Sequence, residues 1–163
     1  MSYKTSMSMA CEAEKVISMH TAQRWQRRER ELQSWLAREK ITKHPKQTLL
    51  LGHVSIDAEL LPALTLLKEQ GIPTEFSCAG VSVLDEPEDH SLYAYITFPA
   101  CEQTERFIQL AIQRMKHRLL VTFEPARNRY DLSSFYIGHN RSFCLLMLRC
   151  AQAVAKEQHR PKS

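Results

Sequence analysis

The apolar positions of this chain change period repeatedly, and each change marks an element. Residues 48–56, "TLLLGHVSI", read as a strand. "DAELLPALTLLKEQG" (57–71) reads as a helix with Asp57 as N-cap, Gly71 just past its end and Pro73 as a stop. "PTEFSC" (73–78) alternates, with Phe76 and Cys78 on one face and Glu75 and Ser77 on the other. "GVSVL" (80–84) reads as a short strand and "DEPEDHS" (85–91) as an acidic turn. "LYAYITF" (92–98) puts Leu92, Ala94, Ile96 and Phe98 on one face of a strand. Residues 99–118 then take a helical period, with Thr104, Phe107, Ile108, Ala111 and Met115 as the inward stripe. "LLVTFEP" (119–125) and "LSSFYIG" (132–138) read as strands flanking a turn, "ARNRYD" (126–131). The last helix, 140–158, carries Asn140 as N-cap and a stripe of Phe143, Cys144, Met147, Cys150, Ala151 and Val154.

Strand, helix and strand follow one another twice, over 53–78 and over 93–123. The pattern predicts an α/β fold: a two-layer sandwich from two βαβ units with a mixed sheet and a C-terminal helix. Residues 11–40 precede it without Gly or Pro and are rich in helix formers, which predicts one long helix as an N-terminal arm. Its apolar stripe is sparse; Trp25, Leu32 and Leu36 share a face that "QRRERE" interrupts. The expected organisation is an arm and linker over 1–47 and an α/β domain over 48–163. So sparse a stripe suits an interface, and a homodimer joined through the arm is expected.

Charge sharpens the division. Residues 1–47 hold ten Lys/Arg against five Asp/Glu, a net of +5, whereas 48–163 hold twelve against thirteen, a net of −1. The basic excess lies in the arm, where it forms a solvated face or attracts nucleic acid. The five cysteines form no CxxC pair or disulfide framework, and zinc-site spacing is absent, so no metal is expected. Without an apolar run of about 18 residues the chain has no predicted membrane span. The N-terminal stretch lacks the apolar core of a secretion signal, and a cytoplasmic location is expected.

Walker A, GxGxxG, HExxH and GxSxG motifs are absent. The candidate chemistry centres on Cys78, which ends a strand and opens onto Ala79-Gly80. Packing in the core is the simpler role for a free cysteine there; a thiol lining a ligand cleft is the other. If the 53–57 strand pairs in parallel with 74–78, Asp57 and Cys78 meet at one sheet edge, where open α/β sheets bind ligands. Ser77, Gly80 and His90 would lie close by. "GHNRS" (138–142) opens the last helix, and its free amides with His139 and Arg141 form a second candidate, for an anion.

"VSIDAELLPALTLLKEQGIPTEFSCAGVSVL" resembles the opening of the wybutosine-synthesis methyltransferases that modify tRNA, and the likeness extends over roughly residues 53–124. Ser55, Ile56 and Asp57, then Thr74, Ser77, Cys78 and Gly80, match that family's "SID" start and Thr-x-x-Ser-Cys-x-Gly strand end. Phe76 and Val81 stand where the family has Ser and Arg. The resemblance implies a related scaffold with a binding edge at the Cys-Ala-Gly turn. It leads to the expectation of an RNA- or nucleotide-binding module. The alternative is a self-associating protein without catalysis, the arm serving for interaction.

Overall fold

The computed structural model describes residues 14–39, 47–82 and 91–159. Its centre is a five-stranded sheet. In chain order the strands are β1 (Lys15–Val16), β4 (Ser77–Cys78), β5 (Tyr95–Pro99), β6 (Leu119–Glu124) and β7 (Arg129–Ser134), and their spatial order is β1-β6-β7-β5-β4. Strands β2 (Thr48–Leu51) and β3 (Val54–Asp57) form a separate hairpin. The helices are α1 (Ala22–Ala37), α2 (Leu61–Glu69), α3 (Glu102–Met115) and α4 (Asn140–Gln158). The protein is an α/β fold.

The helical stripes land where the sequence puts them. Thr104, Phe107, Ile108, Ala111 and Met115 are the buried residues of α3, and Phe143, Cys144, Met147, Cys150 and Ala151 are buried on α4; Val154 is half-buried against the same core, and Asn140 and Ala153, outside the expected stripe, are buried. With Leu60, Leu64 and Leu67 they pack on one sheet face, against Ile96, Phe98, Leu119, Val121 and Leu132. Burial pushes the Cys144 thiol up to about 12 and Cys150 to about 11, so both are packing groups.

The sheet differs from the expectation in its pairing. All its ladders are antiparallel. The β5-α3-β6 unit is a crossover whose strands run parallel but are held apart by β7. No parallel pair joins 53–57 to 74–78. The stretch read as one strand, 48–56, folds back on itself at Gly52-His53, with Leu51 opposite Val54. Gly52 takes φ +63° at the first turn position, the geometry a two-residue hairpin requires. Phe76 also departs from the expected face and is exposed, while Cys78 is buried. The Phe76 amide is held by the Thr97 hydroxyl at 2.8 Å, so the chain there leaves a regular ladder.

The arm begins later than expected. Thr21 caps α1 by accepting from the Arg24 amide at 3.2 Å. Ahead of the cap, Lys15 and Val16 extend the sheet edge beside Phe123 and Thr122 instead of continuing the helix. The helix lies on the sheet face that α2, α3 and α4 leave bare. Trp35 is buried with Val81 and Ile137, and Leu32 packs beside them; Leu36 faces outward. Trp25 meets the Phe135 ring at 5.0 Å. Trp35 and Leu32 of the arm are thus packed within their own chain, while Leu36 is left on the surface. Among the described residues no helix is long and apolar enough to cross a membrane.

Candidate functional site: two clefts along the arm helix

The Cys78 turn is a clamp. Asp57 makes no cap bond to the helical turn that follows it; one carboxylate oxygen accepts from the buried Ala79 amide at 2.7 Å. Asp57 is therefore joined to the Cys-Ala-Gly turn through its side chain, not through the strand pairing on which their meeting was expected to depend. Asn140 closes the other side. It is the first residue of α4, and its amide group spans three backbone groups. It accepts from Ala94 N at 2.9 Å and donates to Val81 O at 2.8 Å and Leu92 O at 2.9 Å. Gly80, at φ +78°, fits between Asn140 and Ala94. The Cys78 sulfur accepts from the Ser91 amide at 3.3 Å, and Ser77 is half-buried beside it. His90 lies outside the described residues.

The second candidate is occupied from within. Glu31 of the arm accepts from the Ile137 amide at 2.6 Å and the Gly138 amide at 3.0 Å. The anion that the turn before α4 attracts is the chain's own carboxylate. His139 is half-buried against the Tyr136 ring, and Arg141 is exposed on α4.

Docking of the arm creates two open clefts that the sequence reading did not assemble. The first, of ≈ 630 Å³, is lined by Thr21, Gln23, Arg24, Gln26, Arg27, Arg30, His117 and Tyr136. Three arginines spaced three apart on α1 thus face the turn that joins α3 to β6. The Arg27 guanidinium sits 4.9 Å from the centre of the Tyr136 ring, and the Tyr136 hydroxyl donates to Arg24 O at 3.5 Å. Burial first, and then the cations Arg24, Arg118, Arg27 and Lys116, hold His117 below its ordinary value. The four cations add to an effect that burial leads, and they place positive charge along this side of the groove.

The second cleft, of ≈ 550 Å³, lies on the other flank of α1, over the polar face of the sheet. Its walls are Trp25, Arg28, Tyr93, Tyr95 and Leu120, and its floor carries Thr122, Asp131 and Ser133. Arg28 donates to Phe135 O at 2.6 Å and lies 4.0 Å from the centre of the Tyr93 ring. One carboxylate oxygen of Asp131 and the Tyr93 hydroxyl are buried with no hydrogen-bond partner among the described residues. Burial, with the Glu14 carboxylate adding to it, pushes Asp131 up to about 6, against an opposing pull from Arg129. Glu124 adds a further push upward.

A folded value above the unfolded 3.8 means that folding favours the protonated acid. The stability this group contributes is full below about pH 4 and is lost as pH rises through about 6. Asp131→Asn, neutral at every pH, is therefore expected to raise stability at pH 8 by on the order of 2 kcal/mol and to leave it nearly unchanged at pH 4. Urea midpoints at the two pH values check this. Equal midpoints for both proteins at pH 8 would show that Asp131 ionises without cost.

Comparison with protein-family models, with curated proteins and with solved structures returned no match, so the likeness to the wybutosine-synthesis methyltransferases rests on the quoted residues alone.

Proposed function

We propose that this protein is a binding module for single-stranded RNA, which it holds by its phosphates along the arm helix. The observation that carries the reading is the basic cleft. Arg24, Arg27 and Arg30 face His117 across an open groove, with Lys116 and Arg118 on the adjoining turn. Arginine presents a planar fork of donors that matches phosphate oxygens, and several such groups along one groove follow a backbone rather than a single ion. On the arm helix the carboxylate of Glu31 turns inward to the 137–138 amides, while Arg24, Arg27 and Arg30 line the open groove. The resemblance to tRNA-modifying enzymes agrees with this reading without adding a reaction to it.

The test is the salt dependence of binding. A labelled oligouridine, followed by fluorescence anisotropy, should bind with a log-log salt slope that reports its phosphate contacts, at roughly 0.7 per contact for a single strand. Replacing Arg24, Arg27 and Arg30 by Gln keeps helix propensity and should make the slope about 2 shallower. An unchanged slope would place the phosphates elsewhere and remove the proposal.

A further inference from the structure

We infer that the cleft over the sheet, bounded by Trp25, Tyr93, Tyr95, Arg28 and Asp131, binds a nucleobase that carries an exocyclic amino group. The inference rests on the RNA-binding reading above and adds a base-reading subsite to it. The two clefts flank one helix: Arg24 opens onto the first, and the next residue, Trp25, onto the second. A strand whose phosphates track the arginines sets a base in the second cleft by crossing the helix, about 10–12 Å wide with its side chains.

The lining suits a flat, hydrogen-bonding ring. Trp25, exposed over 37% of its surface, offers an indole edge and face, and Tyr93 and Tyr95 add two more rings. Bases stack on such rings irrespective of sequence. Arg28 is fixed across Tyr93 by its bond to Phe135 O, a planar cation that cannot swing away freely. Specificity comes from the floor. An ionised carboxylate only accepts hydrogen bonds, and Asp131 has a buried oxygen that nothing among the described residues satisfies. Ser133 and Thr122 stand beside it on the same sheet face. Cytosine, adenine and guanine each present an amino N–H to such an acceptor, in the manner of a carboxylate accepting from the cytosine amine. Uracil has no amino group and sets a carbonyl in the matching place, against the acid.

The probes are CMP, AMP, GMP and UMP, titrated into the full chain at pH 8, where the Asp131 carboxyl is ionised, while tryptophan fluorescence is followed. Stacking on Trp25 should quench emission saturably. At least one amino-bearing nucleotide should bind tenfold or more tightly than UMP. Asp131→Leu removes both oxygens with the same side-chain branching and should abolish this preference while leaving weak stacking in place; Asp131→Asn, which keeps one acceptor, should retain part of it. Equal binding of all four nucleotides, or a preference that survives Asp131→Leu, overturns the inference. The oligouridine titration separates this from the phosphate reading. If oligouridine binds with the expected salt slope and no mononucleotide is preferred, only the base subsite falls. If oligouridine also fails to bind, the phosphate reading falls with it.

Discussion

Gly80→Ala is expected to destabilise the protein severely, by on the order of 3–5 kcal/mol. Two costs add. The backbone at φ +78° is one that L side chains rarely adopt, at about 1–2 kcal/mol for a residue with a Cβ. The added carbon would also lie 2.5 Å from the Asn140 amide nitrogen and 2.6 Å from the Ala94 backbone nitrogen. Neither neighbour can yield cheaply. Ala94 N donates to Asn140, and Asn140 also holds Val81 and Leu92, so moving either breaks a buried bond. For a chain of this size the change corresponds to a fall in Tm of roughly 10 °C, measurable by calorimetry. A fall of only about a degree would mean that the turn has room to shift and that the clamp does not hold it.

Phe135→Ala is the second large effect, expected at about 3–5 kcal/mol for a fully buried aromatic ring. The ring does more than fill space. It stacks on His20 at 4.0 Å, meets Trp25 edge-on at 5.0 Å and touches Tyr136 at 5.0 Å, so three of its neighbours either belong to the arm segment or line the basic cleft. Its backbone oxygen is also the acceptor for Arg28. Loss of the ring should loosen the arm before the sheet. Brief trypsin digestion should then cut between Arg24 and Arg30 in the variant while the remainder stays intact and the wild-type arm resists. Global unfolding with no earlier cut in the arm would show that α1 and the sheet melt as one unit.

Much of the helical layer was legible because its residues obey a single rule. On α3 the 3.6-residue period alone selects the buried side chains, and on α4 it selects most of them, Asn140 and Ala153 being the exceptions. The sheet was less legible. "TLLLGHVSI" contains a run of apolar residues whose only punctuation is one glycine, and whether that glycine turns the chain depends on φ, which periodicity does not report. Asp57 was read as a cap because an Asp before a helix has an obvious local use; its bond to Ala79, 22 residues away, is visible only after folding. The same holds for Asn140, whose three partners are 46 to 59 residues distant. Asp131 carries a signal in the sequence. "RYDLSS" alternates, with Arg129, Asp131 and Ser133 on one face, but a strand begun at Leu132 leaves Asp131 in a turn. The clefts themselves were beyond the sequence, since each joins α1 to segments more than 60 residues later, and only the docking of the arm sets Arg24 against His117 and Trp25 against Asp131.

The central claim is that nucleic acid lies along the docked arm. Its most direct test is a ¹H–¹⁵N correlation titration of the full chain with a short single-stranded RNA containing cytosine. The account predicts that the largest shifts cluster at Arg24, Arg27, Arg30 and His117 and at the Trp25 indole N–H, with the amides around Asp131 following. Shifts confined to the Cys78 turn, to the outer face of α4 around Arg141, or absent at saturating RNA would contradict it.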